Sequence, residues 1–313
     1  MVIEQCLGVK KGEEVLVIVD EKTRQVGKVL FDAAKNAGAE AVLVEMLERE
    51  AHGSEPPAVV AGAMKSADVV IAPTSKSLSH TTARLEATKK GVRIATMPTI
   101  TEEIMLRTLS ADYEKIKNLS YKFRDLLSQG SHIRLTTPAG TDLTFSIAGR
   151  KGMADTGILI EKGAMGNLPA GEAMIAPVEG TTNGVAVVDL TMAGIGLVKS
   201  PIKMVIRDGY VAEISGGAEA ETLSGLLKGE GSKNIAELGI GTNEKAIASG
   251  NPLEDEKVMG TVHVGIGDSR SLGGNVEAPV HLDGIMNCPT LEIDGRIVID
   301  AGDLAVTSSK SAL

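Results

Sequence analysis

Short apolar runs alternate with helical stretches over roughly the first 128 residues of the chain. The apolar runs have the length and the β-branched content of buried strands, and they lie at 13–20, 40–47, 67–74 and 91–98. Helical spacing of apolar residues is found between them, at 25–39, 57–65 and 79–89. Strands that alternate with helices predict right-handed βαβ units and a parallel sheet. A longer amphipathic pattern at 110–130 predicts a connecting helix.

The pattern changes after residue 130 to pairs of alternating runs around turn residues. Such pairs predict β-hairpins, and they lie at 132–149, 202–217 and 291–300. Helices are predicted at 218–229 and 243–249. The chain is therefore predicted to divide into an α/β domain at 1–129 and an α+β, largely antiparallel domain at 130–313.

The first domain resembles a Rossmann-like α/β unit without the nucleotide fingerprint. The first strand, VLVIVD, is followed by EKTRQVGKVL, which contains no Gly-x-Gly-x-x-Gly turn. That turn provides the phosphate cradle of dinucleotide-binding folds. A nicotinamide-dependent dehydrogenase is therefore not expected.

Composition narrows the class of protein. The 313 residues carry a net charge of −9, and only 2% of them are aromatic. An acidic chain with few aromatic side chains lacks the basic surface that nucleic acids and anionic membranes require. No secretory signal and no apolar stretch long enough for a membrane span is visible. With two cysteines, Cys6 and Cys288, the sequence favours a cytoplasmic enzyme.

Two of the five histidines lie in unusual segments. His263 lies within the apolar run of TVHVGIGDS, and His281 precedes Asp283 by two residues in APVHLDGIMNC. Residues i and i+2 of a strand point to the same face, so His281 and Asp283 present an imidazole and a carboxylate side by side. A hydrogen-bonded structural pair would have the same spacing.

Two glutamates extend this set of candidates. Glu172 begins an apolar run in NLPAGEAMIAP, and Glu237 lies between apolar residues in NIAELGIGTN. A carboxylate within an apolar run is costly unless it is paired or bound to a cation. Carboxylates and imidazoles together suit Zn²⁺, Co²⁺ or Mn²⁺, although a structural network of acids and histidines remains an alternative.

These motifs, in this order, resemble those of the aminopeptidase T and aminopeptidase S group of metallopeptidases, the leucyl aminopeptidases. The resemblance is carried by NLPAGEAMIAP, AELGIGTNEKA, LEDEKVMGTVHVGIG and APVHLDGIM, and extends more loosely to the N-terminal domain. It implies that a pair of divalent ions, Zn, Co or Mn, is bound by Glu172, Glu237, His263, His281 and Asp283. It also implies a homodimer.

The implied activity is that of a hydrolase that releases N-terminal, aliphatic residues from peptides through a metal-activated water. Glu172 or Glu237 would be either a ligand or the general base. The chain departs from the peptidase pattern at Arg270, which stands where the family has a tyrosine at its metal centre. A guanidinium cannot bind a cation, so Arg270 is expected to hold a substrate carboxylate or an oxyanion instead.

The same motifs are similar to those of the 2,5-dihydroxypyridine 5,6-dioxygenase type, which acts on a small aromatic molecule. That resemblance implies a single Fe²⁺ bound by His263, His281 and Asp283, a ligand set common among non-haem iron oxygenases. The sequence thus predicts a metallo-aminopeptidase, with the ring-cleaving dioxygenase as the alternative. A relative that binds metal without catalysis is the third possibility.

Overall fold

The computed structural model describes residues 1–305. Contacts divide the chain into two compact units, the first formed by Met1–Lys117 and Asp155–Ala170 and the second by the remaining residues. The last eight residues of the predicted second domain, 306–313, lie outside the described residues. Over the part of the chain that is described, no helix combines the length and the apolar character needed to cross a bilayer.

The first unit contains five strands and four complete helices. Its strands are β1 (Glu14–Val19), β2 (Glu40–Glu45), β3 (Val69–Ala72), β4 (Arg93–Thr96) and β8 (Met165–Asn167). Its helices are α1 (Arg24–Asn36), α2 (Ala58–Met64), α3 (Thr82–Lys89) and α4 (Glu102–Thr108), preceded by a π-helical turn at Val2–Cys6 and a 3₁₀ turn at Glu21–Thr23.

The sheet of the first unit is parallel, in the order β2-β1-β3-β4-β8. Apart from Glu14, strands β1 and β3 are buried along their length, which explains why they are continuous apolar runs. Threonine side chains cap two of the helices, Thr81 for α3 and Thr101 for α4. The predicted strands and helices of this half are confirmed, but α4 and β8 were not predicted.

The second unit is mainly antiparallel. Its strands are β5 (His132–Thr136), β6 (Asp142–Ser146), β7 (Met153–Asp155), β9 (Glu172–Ile175), β10 (Asn183–Val188), β11 (Thr191–Met192), β12 (Gly196–Leu197), β13 (Ile202–Arg207), β14 (Tyr210–Ser215), β15 (Ile235–Gly241), β16 (Val262–Gly267), β17 (His281–Met286), β18 (Thr290–Ile293), β19 (Arg296–Asp300) and β20 (Asp303–Leu304). Its helices are α6 (Ala218–Leu226) and α7 (Pro252–Asp255), with a 3₁₀ turn at Arg270–Leu272. Helix α5 (Tyr113–Gln129) begins in the first unit and ends in the second.

Two sheets share one hydrophobic core in this unit. The eight-stranded sheet has the order β14-β13-β10-β6-β5-β18-β19-β20, and the seven-stranded sheet the order β12-β11-β17-β16-β15-β9-β7. The core takes Leu135 and Phe145 from the first sheet, Leu238 and Val264 from the second, and Phe123 from α5. The other face of the seven-stranded sheet points away from this core.

The structure differs from the predictions in two places. All three hairpins form, as β5–β6, β13–β14 and β18–β19, but the segment 243–249 is not helical. Its backbone is held in turns because Glu254 and Asp255 accept hydrogen bonds from the amides of Ile247, Ser249 and Gly250. The division of the chain also differs from the predicted break at 129/130, since 155–170 belongs to the first unit through the pairing of β8 with β4.

Candidate metal centre

The five predicted donors lie on four adjacent strands of the seven-stranded sheet. Each of them stands opposite a glycine in the strand ladder. The pairs are Glu172 with Gly241, His263 with Gly239, Glu237 and Asp283 each with Gly265, and His281 with Gly267. Because side chains alternate along a strand, the donors point away from the apolar core that Leu238 and Val264 enter.

These glycines clear the space that the donors occupy. A Cβ on Gly265 would lie 2.7 Å from Glu237 Cβ, 2.9 Å from Asp283 Oδ1 and 3.0 Å from His281 Cε1. A Cβ on Gly239 would overlap the His263 ring, 2.6 Å from its Cδ2 atom. The repeated Gly-x-Gly in GIGT and GIGD is therefore a cradle for side chains and not for a phosphate.

The donors form two overlapping groups among residues 1–305. Glu172, Glu237 and His263 make up one group, and Glu237, His281 and Asp283 make up the other. In each group, the potential ligand atoms lie within 4.8 Å of one another. The structure thus brings all five predicted residues together, and Glu237 belongs to both groups.

The spacing of the donors matches that of ligands around one ion. In the second group, His281 Nε2 lies 2.9 Å from Glu237 Oε2 and 3.2 Å from Asp283 Oδ1. In the first group, His263 Nε2 lies 3.4 Å from Glu237 Oε1 and 3.5 Å from Glu172 Oε2. Donors about 2.1 Å from a shared ion stand about 3.0–3.4 Å apart, so little movement would be needed for either group to bind one.

Buried oxygens in the cluster lack hydrogen-bond partners. Glu172 Oε2 and His263 Nδ1 are both buried without a hydrogen bond, and the buried Asp283 Oδ1 has the ion-pair contact with His281 Nε2 in place of a well-formed hydrogen bond. An unpaired buried polar atom costs about 1–3 kcal/mol, and more when it is charged. A cation in either group would bind the buried carboxylate oxygen of that group, so the donor set fits a divalent metal.

The electrostatics of the cluster favour imidazolium in the metal-free protein. Burial lowers the pKa of His263, but its hydrogen bond to Glu237 and the charges of Glu172 and Asp283 raise it to about 9. Burial likewise opposes charge on His281, yet Asp283 and Glu237 hold its pKa well above the usual value. For Glu237, burial raises the pKa, and hydrogen bonds from the two imidazoles outweigh burial and lower it. These protons occupy positions that a metal ion would take.

A buried lysine, which the sequence pattern does not reveal, completes the cluster. Lys257 is 1% exposed, and its Nζ lies 2.8 Å from Glu172 Oε1 and 2.9 Å from Glu256 Oε2. Burial raises the pKa of Glu172, and the charges of Lys257 and His263 oppose this rise. In the sequence, Lys257 lies in a run of charges that is typical of a solvated loop, so no pattern marks it.

His281 is oriented by the backbone. Its Nδ1 atom lies 2.7 Å from the carbonyl oxygen of Asp268, which is an acceptor only. The Nδ1–H therefore donates, which leaves Nε2 directed at Glu237 and Asp283. A backbone carbonyl that fixes the tautomer in this way is a common support for a metal-binding histidine.

Arg270 pairs with two acids that are not among the five donors. Its guanidinium is half exposed and pairs with Asp268 at 2.6 Å and with Glu277 at 3.0 Å. The predicted role in holding a substrate carboxylate or an oxyanion stays a prediction. Of the two acids it pairs with, Asp268 also contributes the carbonyl that orients His281.

Comparison with known proteins assigns the family. Residues 1–306 match the NicX family, described as 2,5-dihydroxypyridine 5,6-dioxygenase. The chain belongs to this family. A curated relative, the 2,5-dihydroxypyridine 5,6-dioxygenase of Pseudomonas putida KT2440, is 24% identical over 266 residues, which cover 80% of this chain and 74% of the relative.

Two solved structures share the fold. The 2,5-dihydroxypyridine dioxygenase of Pseudomonas putida KT2440 aligns with a TM-score of 0.80 and 21% identity, over 93% of this chain and 91% of that one. Wild-type AmpT, aminopeptidase T, from Thermus thermophilus aligns with a TM-score of 0.72 and 18% identity, over 97% of each chain. Both resemblances noted in the sequence are thus found again. The family match favours the dioxygenase alternative, whereas the predicted aminopeptidase is supported by the fold alone.

Proposed function

We propose that the protein is a metal-dependent dioxygenase that opens the ring of a dihydroxylated pyridine or a closely related hydroxylated heteroaromatic compound. The observation that carries the proposal is the buried cluster in which Glu237 contacts both His263 and His281, and His281 contacts Asp283, in a chain that matches the dioxygenase family from residue 1 to 306. Imidazole and carboxylate donors suit Fe²⁺. When bound there, iron would supply the one-electron chemistry that dioxygen needs to react with an aromatic ring.

The residues around the cluster fix the orientation, the charge and the burial of its donors. The Asp268 carbonyl holds His281 so that Nε2 faces the two carboxylates. Glu237 joins both groups and stays ionised because the two imidazoles surround it. Burial of His263 and Glu237 excludes water from these two donors, which protects reactive species from side reactions.

The test is to load the protein with Fe²⁺ under anaerobic conditions and then to measure its uptake of oxygen. We expect one O₂ to be consumed per 2,5-dihydroxypyridine, with loss of the aromatic absorbance. Asp283→Asn should abolish metal retention and turnover, whereas Asp300→Asn, an exposed aspartate on β19 of the other sheet, should change neither. A protein with a full complement of iron that consumes no oxygen with any dihydroxypyridine would refute the proposal.

A second candidate is the metallo-aminopeptidase. The observation that favours it is that Glu237 belongs to both donor groups, because a shared carboxylate can bridge two ions. Loading with Zn²⁺, Co²⁺ or Mn²⁺ and an assay of leucine amide hydrolysis separate the two candidates. Two ions per chain together with hydrolysis would favour the peptidase. Absence of both activities in metal-loaded protein would leave a metal-binding relative without catalysis.

A further inference from the structure

His281 is the most exposed of the five donors. Its side chain is 28% exposed, whereas the side chains of the other four are between 1% and 12% exposed. Packing alone can hold an enclosed side chain in one rotamer, but a side chain that reaches solvent needs a further contact to hold it. A metal ion on Nε2 would replace the contacts of that atom with Glu237 and Asp283. The orientation of the ring then depends on the bond from Nδ1 to the Asp268 carbonyl, at 2.7 Å.

Asp268 is the first residue beyond the end of β16, in the loop that residues 268–280 form between β16 and β17. The last pair of the strand ladder joins Gly267 to His281. The backbones run very close there, since a Cβ on Gly267 would overlap the carbonyl oxygen of Val280. The Asp268 amide donates to that same oxygen at 2.8 Å. Because the ladder ends at Gly267, strand pairing does not fix the carbonyl of Asp268.

The carboxylate of Asp268 ties the two ends of this loop together. Its Oδ1 atom accepts a hydrogen bond from the Arg270 amide at 3.0 Å. Its Oδ2 atom accepts from the Ala278 amide at 3.2 Å and from Arg270 Nε at 2.9 Å. Both oxygens thus accept from N–H groups, so an asparagine would turn its –NH₂ group toward another donor. The position requires a carboxylate, and that carboxylate fixes the backbone that carries the carbonyl.

A second acid holds the tip of the same loop in a similar way. Glu179 Oε1 accepts a hydrogen bond from the Asn275 amide at 2.8 Å, and Oε2 pairs with Arg150. Asp268 and Glu179 thus each accept from a loop amide and pair with an arginine, but only Asp268 also contacts a metal donor. Residues 268–277 lie between the segments VHVGIG and APVHLDGIM, which carry the resemblance to metallopeptidases, and belong to neither.

We propose that the Asp268 carboxylate is a positioning group for the metal centre. It closes the base of the β16–β17 loop and thereby holds the Asp268 carbonyl where it accepts from His281 Nδ1–H, so that Nε2 faces the ion. Without the carboxylate, the most exposed donor loses the support that selects its tautomer and its ring orientation. The proposal deepens the proposed function and rests on it insofar as the cluster binds a divalent metal.

The test is the affinity for Mn²⁺, measured by calorimetric titration of the full chain. Asp268→Asn and Asp268→Ala should each weaken binding by about 10- to 100-fold, the usual effect of losing an outer-shell support. Asp268→Ala removes the acceptors without setting a new donor against the loop amides, so it separates a lost support from a poor contact. Both variants should also change the visible absorption of bound Co²⁺, which depends on the arrangement of its ligands. Wild-type affinity in Asp268→Ala would overturn the proposal.

Glu179→Gln is the matched control, because it removes the charge of the other acid that holds this loop. We expect its affinity for Mn²⁺ to stay within about threefold of the wild type, with an unchanged Co²⁺ spectrum. An equal loss in Glu179→Gln and Asp268→Ala would show that general rigidity of the loop decides the affinity, and would contradict a specific role of Asp268. These outcomes are independent of oxygen uptake. An Fe²⁺-loaded wild type without dioxygenase activity refutes the proposed function alone, whereas unaltered metal binding in Asp268→Ala refutes only the role of Asp268.

Discussion

The glycines of the donor sheet allow a sharp test of the centre, because a single methyl group can be added where the structure has no room. In Gly265→Ala, the new Cβ would lie 2.7 Å from Glu237 Cβ, 2.9 Å from Asp283 Oδ1 and 3.0 Å from His281 Cε1. Non-bonded carbons prefer about 3.5–4.0 Å, so the overlap with Glu237 is at least about 0.8 Å. Rotation of the side chain cannot relieve it, because a Cβ atom moves only with its backbone.

The expected magnitude follows from this overlap. Metal–ligand distances tolerate deviations of about 0.2 Å, which is much less than the required shift. We therefore expect the affinity for Mn²⁺ to fall by about 100-fold, comparable to the largest effects of changes around a metal site. Overpacking should reduce the free energy of unfolding by about 1–3 kcal/mol. Titration calorimetry measures the affinity, and urea unfolding measures the stability.

The control is Gly225→Ala, in helix α6, where an added Cβ meets no atom within 4 Å. Alanine is the better helix former, so stability should stay equal or rise by up to about 1 kcal/mol, with metal binding unchanged. Wild-type affinity in Gly265→Ala would refute the reasoning that the three donors of this group bind the ion in the arrangement described.

Three further predictions concern charge and hydrogen bonding. The pKa of His263 rises from 6.5 to about 9 on folding, so its charge stabilises the metal-free protein fully below pH 6.5, and this contribution is lost as the pH rises toward 9. The difference in Tm between metal-loaded and chelator-treated protein should therefore widen over this range, and a constant difference would contradict an exchange of protons for metal. Arg270→Gln should leave the metal content unchanged and alter the free energy of unfolding by less than about 1 kcal/mol, because its guanidinium is half exposed. Loss of the ion would instead place Arg270 in the centre. Asp294→Ala removes an acceptor for the amides of Ser131 and His132 and should cost about 1–3 kcal/mol in urea unfolding. Its affinity for Mn²⁺ should equal that of the wild type, and a weaker affinity would show that this hairpin is coupled to the donors.

Local patterns predicted much of the fold. Strand β1 is a continuous apolar run because both faces are buried, and the β18–β19 hairpin follows from Asp294-Gly295 between alternating residues. Strand β8 was not predicted because it has only three residues, Met165–Asn167, and no alternation. It is a strand only because its backbone pairs with β4. Likewise, hydrogen bonds from 247–250 to Glu254 and Asp255 override the helical pattern at 243–249.

The sequence predicted those candidate metal donors that can be recognised individually. Glu172, Glu237, His263 and His281 stand out because charged or polar side chains interrupt apolar runs. Lys257 does not, since its neighbours in the sequence are acids and its burial depends on loop contacts over more than ten residues. The function of Gly265 was equally hidden, because its spacing resembles an ordinary turn and its partner strands come from distant parts of the chain.

The path of the chain through its two units has a practical consequence for dissecting the protein. Because β8 is made by residues 165–167, a fragment ending near residue 130 would lack the last strand of its own parallel sheet. Such a fragment would expose the hydrogen-bonding edge of β4, whose four residues are all buried in the intact protein. An uncovered apolar edge is a template for intermolecular pairing. Expression of the N-terminal half alone is therefore expected to yield aggregates. During synthesis, this sheet can be completed only after residue 167 has left the ribosome.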